Sequence, residues 1–179
     1  MKVLKIMIVM IVLILSAGAV CAADDISDDI SDDNRDILKI TQDEIYTADE
    51  SSFTNLTDEI KNADTFLELT KDYTFNDEID KNTGIYITKD NFVLNGKGHT
   101  IDAKFQTKIF VITGNNITIS NLTLINGHNT GKNGGAIFST GSLTLKNITF
   151  NNNHAEEGGA IYCENYTEIT NCNFNNNHC

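Results

Sequence analysis

Three histidines recur at one point of a repeat. His128, His154 and His178 each follow an Asn-rich stretch, at intervals of 26 and 24 residues. If that repeat is a stack of coils, the imidazoles line one corner at a spacing of about 5 Å. Stacked imidazoles can hold a transition metal or act as a pH-sensitive seam. A solvent-facing turn residue copied with its repeat explains the same pattern more simply, and that reading is preferred, so no metal ligand and no cofactor is assigned. The other groups able to do chemistry are carboxylates. Asp90 and Asp102 lie in the repeat region, and an inverting glycosidase needs two carboxyls roughly 6.5–9.5 Å apart on one face. Nothing in the spacing brings these two together, and no catalytic residue is assigned. No C-x-x-C pair is present, which argues against a zinc site.

The elements that would position these residues emerge from periodicity. From Gly84 onward, strand-like segments of three to five residues alternate with Gly and Asn clusters: IYIT, NFVL, IFVIT, NITIS, LTLI, AIFS, SLTL, ITF, AIYC. The tetrapeptide Gly134, Gly135, Ala136, Ile137 returns 24 residues later as Gly158, Gly159, Ala160, Ile161. Phe150 and Asn153 return at the same step as Phe174 and Asn177. NLTLINGH from Asn121 aligns with NITFNNNH from Asn147 at a step of 26, and NITI at Asn116 trails NFVL at Asn91 by 25. Three short strands and three turns of about 3.3 Å per residue close one triangular coil of this length. The expectation is an all-β, parallel β-helix solenoid of about four coils over residues 66–179. Leucine-rich repeats need a signature that is absent.

Side-chain parity predicts the interior. Ile148 and Phe150 point in, with Thr149 out between them. Cys172 and Phe174 repeat those inward positions, Ile137 stacks on Ile161, and Cys163 falls on Ser139. Cys163 and Cys172 are better explained as small core residues than as a disulfide. Corners need left-handed backbone, which Gly supplies freely and Asn tolerates best. Two asparagine ladders are predicted, one through Asn121, Asn147 and Asn171 and one through Asn153 and Asn177.

Ahead of the coils, Phe53, Leu56, Ile60 and Ala63 fall at helical spacing. A short helix over 53–65 would cover the apolar end that a solenoid otherwise exposes. Residues 23–52 open with DDISDDISDD and read as an acidic flexible spacer. The start, MKVLK followed by an uncharged run from Ile6 to Ala23, has the plan of a signal peptide over 1–22. Cleavage leaves no membrane span, and the expected location is secreted or cell surface. Cys21 lacks the small preceding residue usual for lipidation. Five sequons, at Asn55, Asn116, Asn121, Asn147 and Asn165, offer N-glycosylation sites in an exported chain. The net charge of −12, with a single arginine at Arg35, argues against a nucleic-acid partner.

The GGAI and FNNNH units resemble the GGAI and FxxN repeats of polymorphic outer membrane proteins. The order LTKDYTF (Leu69 to Phe75), NGKGHTIDA (Asn95 to Ala103), then GGAI coils is similar to that of adhesin-like surface proteins of methanogenic archaea. The resemblance covers roughly residues 53–179. It implies a right-handed parallel β-helix of the pectin-lyase-like superfamily and a role in attachment. The expected function is non-catalytic contact with a cell-surface or carbohydrate ligand through Asn, Thr, Ser and Tyr on flat sheets. Two alternatives stand beside it. One is a polysaccharide lyase or glycoside hydrolase of the same fold. The other is a fragment of a longer adhesin, since the chain stops at Cys179 just before another GGAI falls due.

Overall fold

The computed structural model describes residues 50–179. The expected signal peptide, Cys21 and the part of the expected spacer before residue 50 lie outside the described residues. The described chain opens on one helix, α1 (Phe53–Asn62), and continues as strands that pair in parallel throughout. The first coil is built from β1 (Phe66–Glu68), β2 (Tyr73–Thr74) and β3 (Ile85–Ile87). The second uses β4 (Val93–Asn95), β5 (Thr100–Asp102) and β6 (Phe110–Ile112). The third runs through β7 (Ile117–Ile125), β8 (His128–Asn133) and β9 (Ile137–Ser139). The fourth runs through β10 (Leu143–Asn151), β11 (His154–Glu157) and β12 (Ile161–Cys163), before β13 (Thr167–Thr170) and β14 (Asn173–Asn175).

Three faces result. Sheet one stacks β1, β4, the first leg of β7, the first leg of β10, and β13. Sheet two stacks β2, β5, the second legs of β7 and β10, and β14. Sheet three stacks β3, β6, β9 and β12. The bends inside β7 and β10 fall at Asn121 and Asn147, whose φ values of 53° and 55° are left-handed. Asn91, Asn116, Asn126, Asn152, Asn171 and Asn176 turn corners in the same way. An asparagine tolerates this backbone because its short amide bonds locally.

The predicted registers hold. Leu143 pairs with Thr167, Leu145 with Ile169, Ile137 with Ile161, and Phe150 with Phe174. Inward positions form one continuous core that includes Ile85, Ile87, Leu94, Ile101, Phe110, Ile119, Leu124, Leu145 and Phe150. Each fully buried Leu, Ile or Phe contributes about 1.5–3 kcal/mol.

The GGAI motif has two distinct glycine roles. Gly134 and Gly158 take φ of +76° and +63°, a left-handed turn costly for other residues. Gly135 and Gly159 carry no Cβ for lack of room. A Cβ on Gly135 would stand 2.0 Å from the Gly159 carbonyl oxygen of the next coil. The following Ala136 and Ala160 are buried, and Ala160 accepts from the amides of both Ala136 and Ile137.

Helix α1 lies against β2 and β3 and buries Phe53, Leu56 and Ile60. Ser52 caps it by accepting from the Asn55 amide. Two side chains from the first coil and its exit hold its ends. The Asp80 carboxylate accepts from the amides of Phe53 and Thr54 at 3.0 and 2.7 Å. The Lys89 ammonium donates to the carbonyls of Ile60 and Ala63 at 2.7 and 2.5 Å. An anion at the helix start and a cation at its end both complement the macrodipole.

Candidate functional site

In sheet three, inward residues alternate with outward ones, and the outward positions align. Tyr86 pairs with Val111, Val111 with Phe138, and Phe138 with Tyr162. Phe138 and Tyr162 stack with centroids 5.9 Å apart and planes 7° from parallel. Tyr86 is 41 % exposed on the same stripe, and Val111 is covered. An outward aromatic row on a flat sheet is a surface suited to contact, because its apolar area is not spent on the core. The signal for it was present in the sequence as GIY, AIF and AIY, each with an aromatic residue after the inward isoleucine.

Beside this stripe the repeat is interrupted. β8 and β11 pair His128 with His154 and Asn129 with Ala155, yet Asn133 pairs with Glu157. Two extra residues are accommodated between Asn129 and Asn133, which is why this step is 26 and the next 24. The Asn129 side chain closes the bulge by donating to the Asn133 carbonyl at 2.7 Å. A bulge of this kind re-aims the side chains that it carries. Lys132 on the bulge and Lys108 ahead of β6 line one groove of about 360 Å³ with Asn129, Asn133, Phe138 and Glu164. The Lys108 ammonium sits 5.6 Å from the Phe138 ring centroid.

The histidines align in the backbone as the spacing predicts. His154 pairs with His128 on one side and bridges to His178 on the other. The rings of His128 and His154 have centroids 5.4 Å apart, tilted by 50°, and His128 Nδ1 lies 3.1 Å from the Phe105 carbonyl. Among the described residues, no three His, Cys, Asp or Glu side chains converge as a metal site. Asp90 and Asp102 occupy different corners of the second coil. Asp90 accepts from the Asn115 amide, and Asp102 from the Lys104 amide and the Asn126 side chain. His99, in NGKGHTIDA, lies 2.9 Å from Asp72, which also accepts from the Thr100 amide.

The Asn-rich motif does structural work. Asn153 is fully buried. Its side chain accepts from the Gly127 amide and donates to the Leu124 carbonyl and to Asn177. Asn177 repeats the arrangement by donating to the Phe150 carbonyl. The other predicted ladder holds at one of its two links and extends one coil further back. Its bonds join Asn121 to Asn95 and Asn147 to Asn121, while Asn171 keeps the left-handed backbone without a bond to Asn147. Three of the sequons therefore have committed side-chain amides, since Asn116 also donates to Asn91. Asn165 is exposed, with its side-chain oxygen accepting from the Tyr166 amide and its carbonyl from the Thr167 hydroxyl. Asn55 is half-buried in α1. Cys163 and Cys172 are half-buried free thiols against the core, and Cys179 is an exposed one. Among the described residues no helix is long and apolar enough to cross a membrane.

Residues 147–164 match the Chlamydia polymorphic membrane protein (Chlamydia_PMP) repeat. No curated protein and no solved structure matches the chain. The matched segment starts at the Asn147 corner, passes through the buried Asn153 and the second glycine pair, and ends after β12. The fourth coil is thus similar to a polymorphic membrane protein repeat, set in a stack of parallel β-coils.

Proposed function

We propose that this chain is an exported, non-catalytic surface protein that makes attachment contacts through the outward face of sheet three. The observation that carries the reading is the stacked, outward Phe138 and Tyr162 in line with exposed Tyr86. A row of half-exposed rings is poorly explained by the core, which is filled from the opposite side of the same strands. Likeness to a repeat named for membrane proteins supports a surface setting. The leader-like N-terminus and the resemblance to archaeal adhesin-like proteins support export.

The test begins with the full chain expressed with its own N-terminus, followed by cell fractionation and protease shaving. Purified protein is then applied to microbial envelopes and to immobilised glycans. Retention is expected, and Phe138→Ala with Tyr162→Ala should reduce it while circular dichroism stays unchanged. A wild-type protein confined to the cell interior, or one that adheres to no surface, would overturn the reading.

A further inference from the structure

We propose that the groove between Lys108 and Lys132 binds an acidic saccharide, its anionic group held between the two ammonium groups and its apolar ring face against Phe138. This deepens the reading of sheet three as a contact face and rests on it for biological meaning.

The groove is built where the repeat departs from itself. Among the described strand pairs, β8–β11 is the one whose register shifts, and the two added residues put a lysine at the groove. A copied repeat without the insertion has no reason to place a cation there. Neither Lys108 nor Lys132 has a carboxylate within ion-pair distance among the described residues. In a chain of net charge −12, this groove brings two such lysines together. Burial, and next the charge of Lys132, hold the Lys108 ammonium below the usual lysine range. An anion between them relieves that repulsion and supplies the missing counter-charge.

The remaining lining selects the ligand class. Phe138, held in place by its stack on Tyr162, offers the groove an apolar surface for the C–H face of a sugar ring. The Asn133 side chain and Glu164 are suited to hydroxyl groups at the rim. Glu164 also disfavours a ligand charged on every side, which separates a singly charged ring from a nucleic-acid backbone with its continuous phosphates. Carboxylated and sulfated sugars share the required chemistry.

The experiment is calorimetric titration of the full chain with four probes: a uronic-acid oligosaccharide, a sulfated oligosaccharide, a neutral oligosaccharide of equal length, and inorganic sulfate. At least one acidic oligosaccharide should bind about tenfold or more tightly than the neutral one, and rising salt should weaken it. The double variant Lys108→Gln, Lys132→Gln should lose about tenfold or more, whereas Lys146→Gln, an exposed lysine on sheet one, should not change it. Which acidic probe wins identifies carboxylate or sulfate as the group held. Equal binding of the neutral sugar, an unaffected double variant, or sulfate alone binding as tightly as the sugars would each overturn the site. Surface adhesion measured in parallel keeps the two readings apart. Adhesion that persists without acidic-sugar binding removes the site alone, and acidic-sugar binding without adhesion removes the surface reading alone.

Discussion

The two ends of the stack hold the same kinds of residue in opposite states. At the first coil, Phe53, Leu56 and Ile60 of α1 seal the interior, and Phe53 meets Phe75 edge-on at 5.6 Å. Asp80 and Lys89 hold the helix at both termini. At the last strands, Ile169 and Phe174 occupy the inward positions of Leu145 and Phe150, yet they are 47 % and 49 % exposed. Phe174 even stacks on Phe150 with centroids 4.9 Å apart. Its other face lines a shallow groove with Gly158, Ile161 and Cys163. The lesson is that the repeat does not carry a fixed energy per copy. An inward side chain is stabilised by the coil on each side of it, so solenoid stability is largely a nearest-neighbour quantity.

The sharpest way to break this comparison is a matched pair of truncations. Phe150→Ala should cost about 3–5 kcal/mol, as in other large-to-small core changes. Phe174→Ala should cost about 1 kcal/mol, near half the transfer energy of a buried ring. Urea unfolding of both variants would show this, and equal losses would refute the neighbour account. Next comes Asn153→Ala, which strands the Gly127 amide and the Leu124 carbonyl inside the tube. A buried unpaired group costs about 1–3 kcal/mol, and Asn177→Ala at the exposed coil should cost less. Third is the seal. Lys89→Met keeps the aliphatic stem but removes the cation from the helix C-terminus, for an expected loss of up to about 2 kcal/mol. Hydrogen exchange should localise that loss to α1 and the first coil, leaving the fourth unchanged.

Two smaller effects sharpen the same contrast. Burial raises the pKa of the Cys163 thiol, so iodoacetamide should label it more slowly than exposed Cys179. Asp72 lies near the capped end. The Thr100 amide first, and His99 next, hold its carboxyl below the usual range. A carboxyl depressed by folding adds stability above its unfolded pKa and loses it as pH falls through the folded value. The stability difference between wild type and Asp72→Asn should therefore be full at neutral pH and fade below about pH 4. An exposed group makes this the smallest effect, read as a shift in acid-unfolding midpoint.

Much of this was legible from spacing. The 24-residue step gave the strand partners, and parity gave the inward residues Ile148 and Phe150. Left-handed corners at Asn121 and Asn147 followed from residue type. The ladder expected through Asn121, Asn147 and Asn171 held between Asn121 and Asn147 and failed at Asn171. Identity of residue type predicts the backbone turn there, but a side-chain bond also needs the adjacent amide to be oriented toward it, and that is decided by local packing. The candidate site was half legible. The aromatic row is written as GIY, AIF and AIY, while the lysine pair is not, since the strands beside it pair at a step of 27, Phe110 with Ile137, and Lys132 lies on the bulge outside that register.

By itself the sequence determined the coil, because Gly, Asn and inward apolar residues at a fixed period leave the backbone few other closed solutions. It also determined that a helix precedes the coils, through the spacing of Phe53, Leu56, Ile60 and Ala63. Only the tertiary structure decided where two surplus residues go. Inside the tube they would break core packing, so they bulge outward between Asn129 and Asn133. That steric choice brought two like charges onto one groove beside an aromatic stack.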